Sequence, residues 1–240
     1  MASNFPQFIF VCIFIVFYSD FVVVCSSQLF NSSLGGSGFS SAVATWYGNA
    51  TGAGSTGGAC GLEDGVAKSP YNAMITAGNQ VLFRYGFGYG ACYQKKKLQK
   101  ENRKCIAEMA KPRQGEKLRN LGRINISYKR VACKYKTNIM FKVDKGSNRF
   151  FFAVAIEAEN GDGALSLVEI KTTNSNKWIP MQQMFGATWC VHINPNTQKP
   201  PFSLRLTSEY KHQIKANNII PVGWQSRTIY KSNVNFPNKL

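Results

Sequence analysis

The sequence predicts a mostly β fold in two parts, the second an all-β sandwich, and three observations lead there. After Tyr135, seven short runs rich in β-forming residues follow one another: NIMFKVD, RFFFAVAIEAE, ALSLVEIK, KWIPMQQMF, TWCVHIN, PFSLRLTS and QIKANNIIP. Short runs at regular spacing indicate a sandwich of roughly a hundred residues. From Val43 to Gln94 glycine is dense and apolar runs are short, which favours strands joined by tight turns, since glycine supplies positive φ. Helical pattern is confined to Ala107–Asn120, where Pro112 and Gly115 break it.

Taken in order, Phe8 to Ser27 is an apolar run ending in small residues, which predicts a signal peptide over 1–27. Asp20 interrupts the run and no Lys or Arg precedes it, so a signal anchor is the alternative. Residues 28–41 are polar and glycine-rich, a flexible leader. A first domain over 42–136 follows, in which Arg123 to Tyr135 alternates as one half-buried strand, and the sandwich takes 137–240. Within the sandwich Asn160-Gly161-Asp162-Gly163 is a hairpin signal, and Asn194 to Pro201 is a break.

Secretion agrees with three glycosylation sequons, at Asn31, Asn49 and Asn125. Outside the signal the cysteines are Cys60, Cys92, Cys105, Cys133 and Cys190, an odd set that leaves at least one thiol without an internal partner. The net charge is +17, and fifteen Lys/Arg face three acids between Lys95 and Lys136. Such density suits an anionic partner, acidic polysaccharide, nucleic acid or a membrane surface, with a solvated basic surface as the alternative. Secretion puts nucleic acid last, and no stable membrane association is expected after signal cleavage.

Catalytic chemistry finds few reagents. The histidines are His192 and His212, both in the sandwich, so the first domain cannot build a Ser-His-Asp or Cys-His set. No HExxH or CxxC is present, and no metal site or cofactor is expected. Glycoside hydrolysis needs two opposed carboxyl groups. The first domain offers Glu63, Asp64, Glu101, Glu108 and Glu116: the first two are adjacent in a turn, and Glu108 and Glu116 sit in the lysine-rich stretch. The aromatics are richer. Trp46 and Tyr47 stand beside glycines, and Phe150, Phe151 and Phe152 are consecutive, so at least one leaves the core. Phe185 precedes a glycine at a strand junction. Exposed rings stack on the apolar faces of sugars, whereas Trp178, Trp189 and Trp224 are expected in the core.

Several segments together resemble the β-expansins: ATWYGNATGAGSTGGACG, GFGYGACYQ, AEMAKPRQGEKLRNLGRINISYKRVACKY, IMFKVDKGSNRFFFAVAIEAENGDG, KWIPMQQMFGATW, PFSLRLTS and NIIPVGWQ. The resemblance implies a double-psi β-barrel related to family 45 glycoside hydrolases, then an immunoglobulin-like β-sandwich that binds carbohydrate. It implies a monomeric protein secreted to the plant cell wall, without cofactor, which binds cellulose, xylan or other matrix glycans and loosens the wall without hydrolysis.

Where the family carries a longer segment with a His-Phe-Asp motif, this chain has Lys95 to Ile106, so the resemblance implies a truncated barrel lacking the hydrolase's acid. Tyr89 stands in GYGAC where the family has cysteine, so Cys60 loses its partner while Cys92 pairs with Cys133. Cys60, Cys105 and Cys190 are then the unpaired candidates, and Cys190 replaces a usual basic residue. The resemblance carries sugar contact onto Trp46, Tyr47, Phe151 and Phe185, and a groove role onto Thr45. Two other readings stand beside it: a family 45-like hydrolase, and a truncated product retaining only polysaccharide binding.

Overall fold

A computed structural model describes residues 38–45, 61–97 and 122–240. The expectations for the signal, most of the leader and the Ala107–Asn120 helix lie outside the described residues, as do Asn31, Trp46, Tyr47, Asn49, Cys60 and Cys105. All described elements belong to one compact unit, Gly38–Leu240.

The first part holds a three-stranded antiparallel sheet, with β3 (Arg123–Val131) between β1 (Ser40–Thr45) and β2 (Cys92–Lys97). The lysine run does not end β2: Lys95, Lys96 and Lys97 continue the ladder opposite Tyr128, Ser127 and Ile126. Burial pushes the pKa of Lys95 down.

The expectation of strands and turns across Val43–Gln94 is corrected between Gly61 and Ala91, where a 3₁₀ turn (Glu63–Ala67) and a one-turn helix α1 (Gln80–Phe83) take their place. The Asn79 side chain accepts from the Leu82 N–H and starts α1. Gly88 belongs to packing as well as turning, since a Cβ there would stand 1.9 Å from the Leu82 carbonyl oxygen.

The second part is a sandwich. One sheet has the order β11-β10-β6-β7 and the other β12-β4-β5-β9-β8. The strands are β4 (Met140–Val143), β5 (Phe151–Glu157), β6 (Leu165–Thr172), β7 (Ile179–Pro180), β8 (Gln182–Phe185), β9 (Thr188–His192), β10 (Phe202–Ser208), β11 (Gln213–Ile220) and β12 (Ile229–Lys231). Period-two alternation sends Phe141 and Val143, Phe152, Val154 and Ile156, and Leu204 and Leu206 into one core. Phe152 packs edge-on against Phe202 and Trp224, at 5.6 and 5.4 Å between centroids. Each such burial stabilises by about 1.5–3 kcal/mol.

The hairpin expected at Asn160–Gly163 is not one. β5 pairs with β4 and β9, and β6 with β10 and β7, so this segment carries the chain from one sheet to the other. Its glycines serve a close approach. A Cβ on Gly90 would lie 1.8 Å from the Gly163 carbonyl oxygen, and one on Gly163 would lie 2.3 Å from that of Gly90.

Around this contact the two parts are tied. Cys92 and Cys133 form a disulfide, and Cys133 exchanges backbone hydrogen bonds with Gly161 at 2.8 and 3.1 Å. The buried Arg130 guanidinium donates to the Asp162 carbonyl and to Glu209, both at 2.8 Å, and Arg84 donates to both Glu209 oxygens. Burial would raise the Glu209 carboxyl, but its bonds to Arg84 and the charges of Arg130 and Arg84 outweigh that and hold it below the usual range.

Substitution of Gly163 by Ala is expected to lower unfolding free energy by about 2–4 kcal/mol, from backbone overlap plus the cost of positive φ. Gly122→Ala, with a φ of 64° but open space around it, should cost only about 1–2 kcal/mol. Equal losses in a urea titration of the two variants would mean that the Gly90–Gly163 contact is not made.

Candidate functional site

The outer face of the five-stranded sheet gathers the exposed aromatics. Since Phe152, Val154 and Ile156 point to the core, Phe151, Ala153 and Ala155 point the other way. Register then sets their neighbours: Phe151 lies opposite His192, Ala153 opposite Cys190 and Ala155 opposite Thr188. On the next strand Gln182 lies opposite Cys190 and Phe185 opposite Thr188. Phe151 is half-buried against His192, with rings 5.6 Å apart, and Phe185 is 43% exposed. Their strand partners are four residues apart along β9, about 13 Å. Phe150, next in sequence, is 53% exposed outside the sheet.

Loops of the first part brace the Phe185 end. A Cβ on Gly61 would lie 2.7 Å from the Phe185 ring, so a glycine is required for the ring to lie there. The Gln183 amide donates to the Gly86 and Gly186 carbonyls at 3.2 and 2.8 Å, and Lys142 pairs with Glu63 at 3.7 Å. Glu63 and Asp64 thus sit in a 3₁₀ turn, with Glu63 serving as an ion-pair partner.

Between the rings lies Cys190, a free thiol of intermediate exposure whose pKa burial raises. Sequence reasoning identified Cys190 as a candidate thiol without placing it on this face; its position opposite Ala153 depends on strand register. Thr45 ends β1 and is exposed, paired with Arg123 in the separate three-stranded sheet, and no described contact joins it to Phe151 or Phe185. Asn125 is exposed in β3 opposite Val43. Of the tryptophans, Trp189 is in the core and Trp224 packs at its margin. Trp178 is not in the core: it is half-buried with Arg205 and Lys171 over its ring at 4.6 and 5.3 Å.

Two carboxylates that no sequence motif singles out, Glu157 and Glu159, lie at and just beyond the end of β5. Both are buried, and both are pushed up by desolvation, Glu159 to about 8 with Glu157 adding repulsion. Tyr71 covers them from the first part, its hydroxyl accepting from the Ala158 N–H at 3.3 Å. Tyr135 also faces Glu159, and burial raises its phenol to about 12. Burial withholds these acids from the outer surface of the sheet. The face itself presents rings, amide, imidazole and a half-buried thiol, a set suited to stacking and hydrogen bonding, while Ala153, Ala155 and Thr188 between them are buried.

This architecture, a small β part docked on a sandwich with a ring-bearing sheet face, defines a class of two-part β proteins. Residues 139–221 match the model of the expansin C-terminal domain. Identity to plant proteins named as B-type expansins runs from 33% to 42%. Expansin-B11 of Oryza sativa subsp. japonica is 39% identical over 83% of this chain and 78% of its own, and expansin-B4 of Arabidopsis thaliana is 38% identical over 86% and 91%. Among solved structures, a point mutant of Clavibacter michiganensis expansin in complex with cellohexaose matches with a TM-score of 0.61 at 18% identity, covering 83% of this chain and 99% of that one. The chain belongs to the β-expansin family.

The buried acids make stability depend on pH. Glu titrates near 4.3 when unfolded, and in the fold Glu159 titrates at about 8. A raised folded pKa gives stability that is full below about 4.3 and is lost as pH rises through about 8. Thermal unfolding should therefore occur at lower temperature at pH 8 than at pH 5, and Glu159→Gln should shrink the difference. A wild-type melting point that rises from pH 5 to 8 would contradict the buried neutral carboxyl.

Proposed function

We propose that this chain is a secreted plant cell-wall protein that binds wall polysaccharide through the outer face of the five-stranded sheet. There it disrupts contacts between cellulose and matrix glycans without cleaving them. The observation that carries this reading is the pair of accessible rings, Phe151 and Phe185, on one sheet face braced by the first part. Family membership supports a wall role, and the relative named with cellohexaose supports a glucan as ligand. In this reading Thr45, Trp46 and Tyr47 also take part in sugar contact, Asn31, Asn49 and Asn125 carry glycans, and the domain boundary falls near Thr137. The protein acts as a monomer and without a cofactor.

Phenyl rings stack on pyranose faces but offer less area than indole, and stacking contributes about 0.5–1.5 kcal/mol per ring beyond burial. The double variant Phe151→Ala, Phe185→Ala should lose roughly tenfold in affinity for insoluble wall material, read by sedimentation. Undiminished binding by a folded variant would refute the platform. Cys190 supplies a second check. Its raised pKa makes alkylation slow near neutrality and faster above pH 9, and a bulky maleimide placed there should block wall binding. Cys190→Ser should bind normally and be insensitive to the reagent.

A second reading, a product that binds but no longer loosens, rests on the stretch from Lys95 to Ile106, which stands where the resemblance implies a longer segment. Creep of heat-inactivated wall strips under constant load separates the two. Extension at acidic pH without release of reducing sugar supports loosening, and wall binding without extension supports the second reading.

A further inference from the structure

One end of the sandwich carries a cleft that the sheet face does not use. It opens between the β4–β5 turn, the β9–β10 loop and the loop after β11, with a volume of about 390 Å³, inside the range of roughly 300–1,000 Å³ that small ligands occupy. A more open hollow adjoins it and shares Arg149, Ile193 and Pro195. Its lining is of two kinds. Ile193, Pro195 and the half-buried Trp224 form an apolar floor, while Arg149 and Lys199 are exposed cations.

The charges are uncompensated. No acid lines either hollow, and neither Arg149 nor Lys199 has an ion-pair partner among the described residues. The Arg149 guanidinium lies 4.6 Å over the exposed Phe150 ring, which holds a planar donor fork beside an apolar surface.

The walls are braced from within. The Asn148 carboxamide oxygen accepts from the Phe150 N–H at 2.9 Å, and the Phe150 carbonyl accepts from the Ile193 N–H at 2.8 Å. The Gln198 amide oxygen accepts from the Asn194 N–H at 2.6 Å, and the Asn194 carbonyl accepts from the Gln198 N–H at 2.7 Å. A preformed cleft loses little entropy on binding. Its position also matters, because Phe150 immediately precedes Phe151 and Ile193 immediately follows His192 at the end of the sheet face.

We propose that this cleft is a second carbohydrate site, separate from the sheet face, which takes a carboxylate-bearing sugar residue of an acidic glycan. Arg149 and Lys199 bind the carboxylate, and the apolar floor with Phe150 receives the ring's C–H face. Apolar floor and cationic rim together require a ligand that is both ring-shaped and anionic, which a neutral glucan is not.

The test uses the full-length protein and calorimetric titration with a soluble xylo-oligosaccharide bearing one glucuronic acid, against the unsubstituted oligosaccharide of equal length. The acidic ligand should bind at least about tenfold tighter, the scale of one charge-assisted contact, and the preference should fall as salt rises. Arg149→Gln with Lys199→Gln should abolish the preference without moving the melting point, since both side chains are exposed. Arg149→Glu should reverse the preference. Phe151→Ala with Phe185→Ala should leave it intact, so failure of the sheet-face reading and failure of this one are distinguishable. Equal affinity for the two oligosaccharides, a preference that survives loss of both cations, or loss of the preference in the sheet-face variant would overturn the proposal. Equally tight binding of inorganic phosphate or of a cinnamate would also overturn the assignment to a sugar.

Discussion

Two backbones touch at Gly90 and Gly163, and the rest of the arrangement depends on that contact. Neither position tolerates a Cβ, so the β2 approach and the inter-sheet crossover meet at a distance no other residue permits. The disulfide from Cys92 to Cys133 begins two residues from Gly90, and Cys133 is bonded to Gly161. Closing a loop of that sequence separation, 41 residues, restricts the unfolded chain by about 4 kcal/mol in the chain-entropy model, a large share of the roughly 5–15 kcal/mol that holds a domain together. The loops that brace Phe185, at Gly61 and Gly86, hang from the same docking.

Charge is used in two ways. Inside, Arg84 and Arg130 converge on Glu209, so two of the many cations are consumed in structure, with Arg130 also set between the rings of Tyr93 and Tyr210. Outside, Arg149 and Lys199 are exposed and without ion-pair partners among the described residues. Cations held against rings recur at Phe150 and Trp178, where guanidinium or ammonium groups lie within 6 Å of the centroid. The acids that are absent from the surface are partly underneath: Glu157 and Glu159 are buried behind Tyr71.

The sandwich could be read from the chain because alternation is a local property: the runs from NIMFKVD to QIKANNIIP each became strand. What failed was partnering. Asn-Gly-Asp-Gly carries the backbone freedom of a hairpin turn, but whether β5 meets β6 in the same sheet is decided by β4, β9 and β10, which no local pattern announces. The same holds for β12, three residues long and set by its ladder with β4. In the first part, glycine density signalled turns correctly yet mistook Gly88 and Gly90, whose use is close packing. Phe151 and Phe185 were identifiable as rings leaving the core, and the resemblance to β-expansins directed attention to them. Cys190 was identifiable as an odd thiol, but its seat between them depends on register. Trp178 was misplaced because an indole is apolar enough for a core and broad enough to cover Arg205.

KWIPMQQMF, expected as one run, holds two strands. Pro180 pairs within one sheet and Gln182 within the other, so the chain changes sheets at Met181, whose side chain is buried and whose N–H donates to the Val168 carbonyl. That single residue is a stitch. Under the proposed sheet-face binding, a glycan dragged along the rings pulls on β8, and the covalent thread through Met181 passes that traction directly to the opposite sheet. The two layers therefore resist shear as one plate.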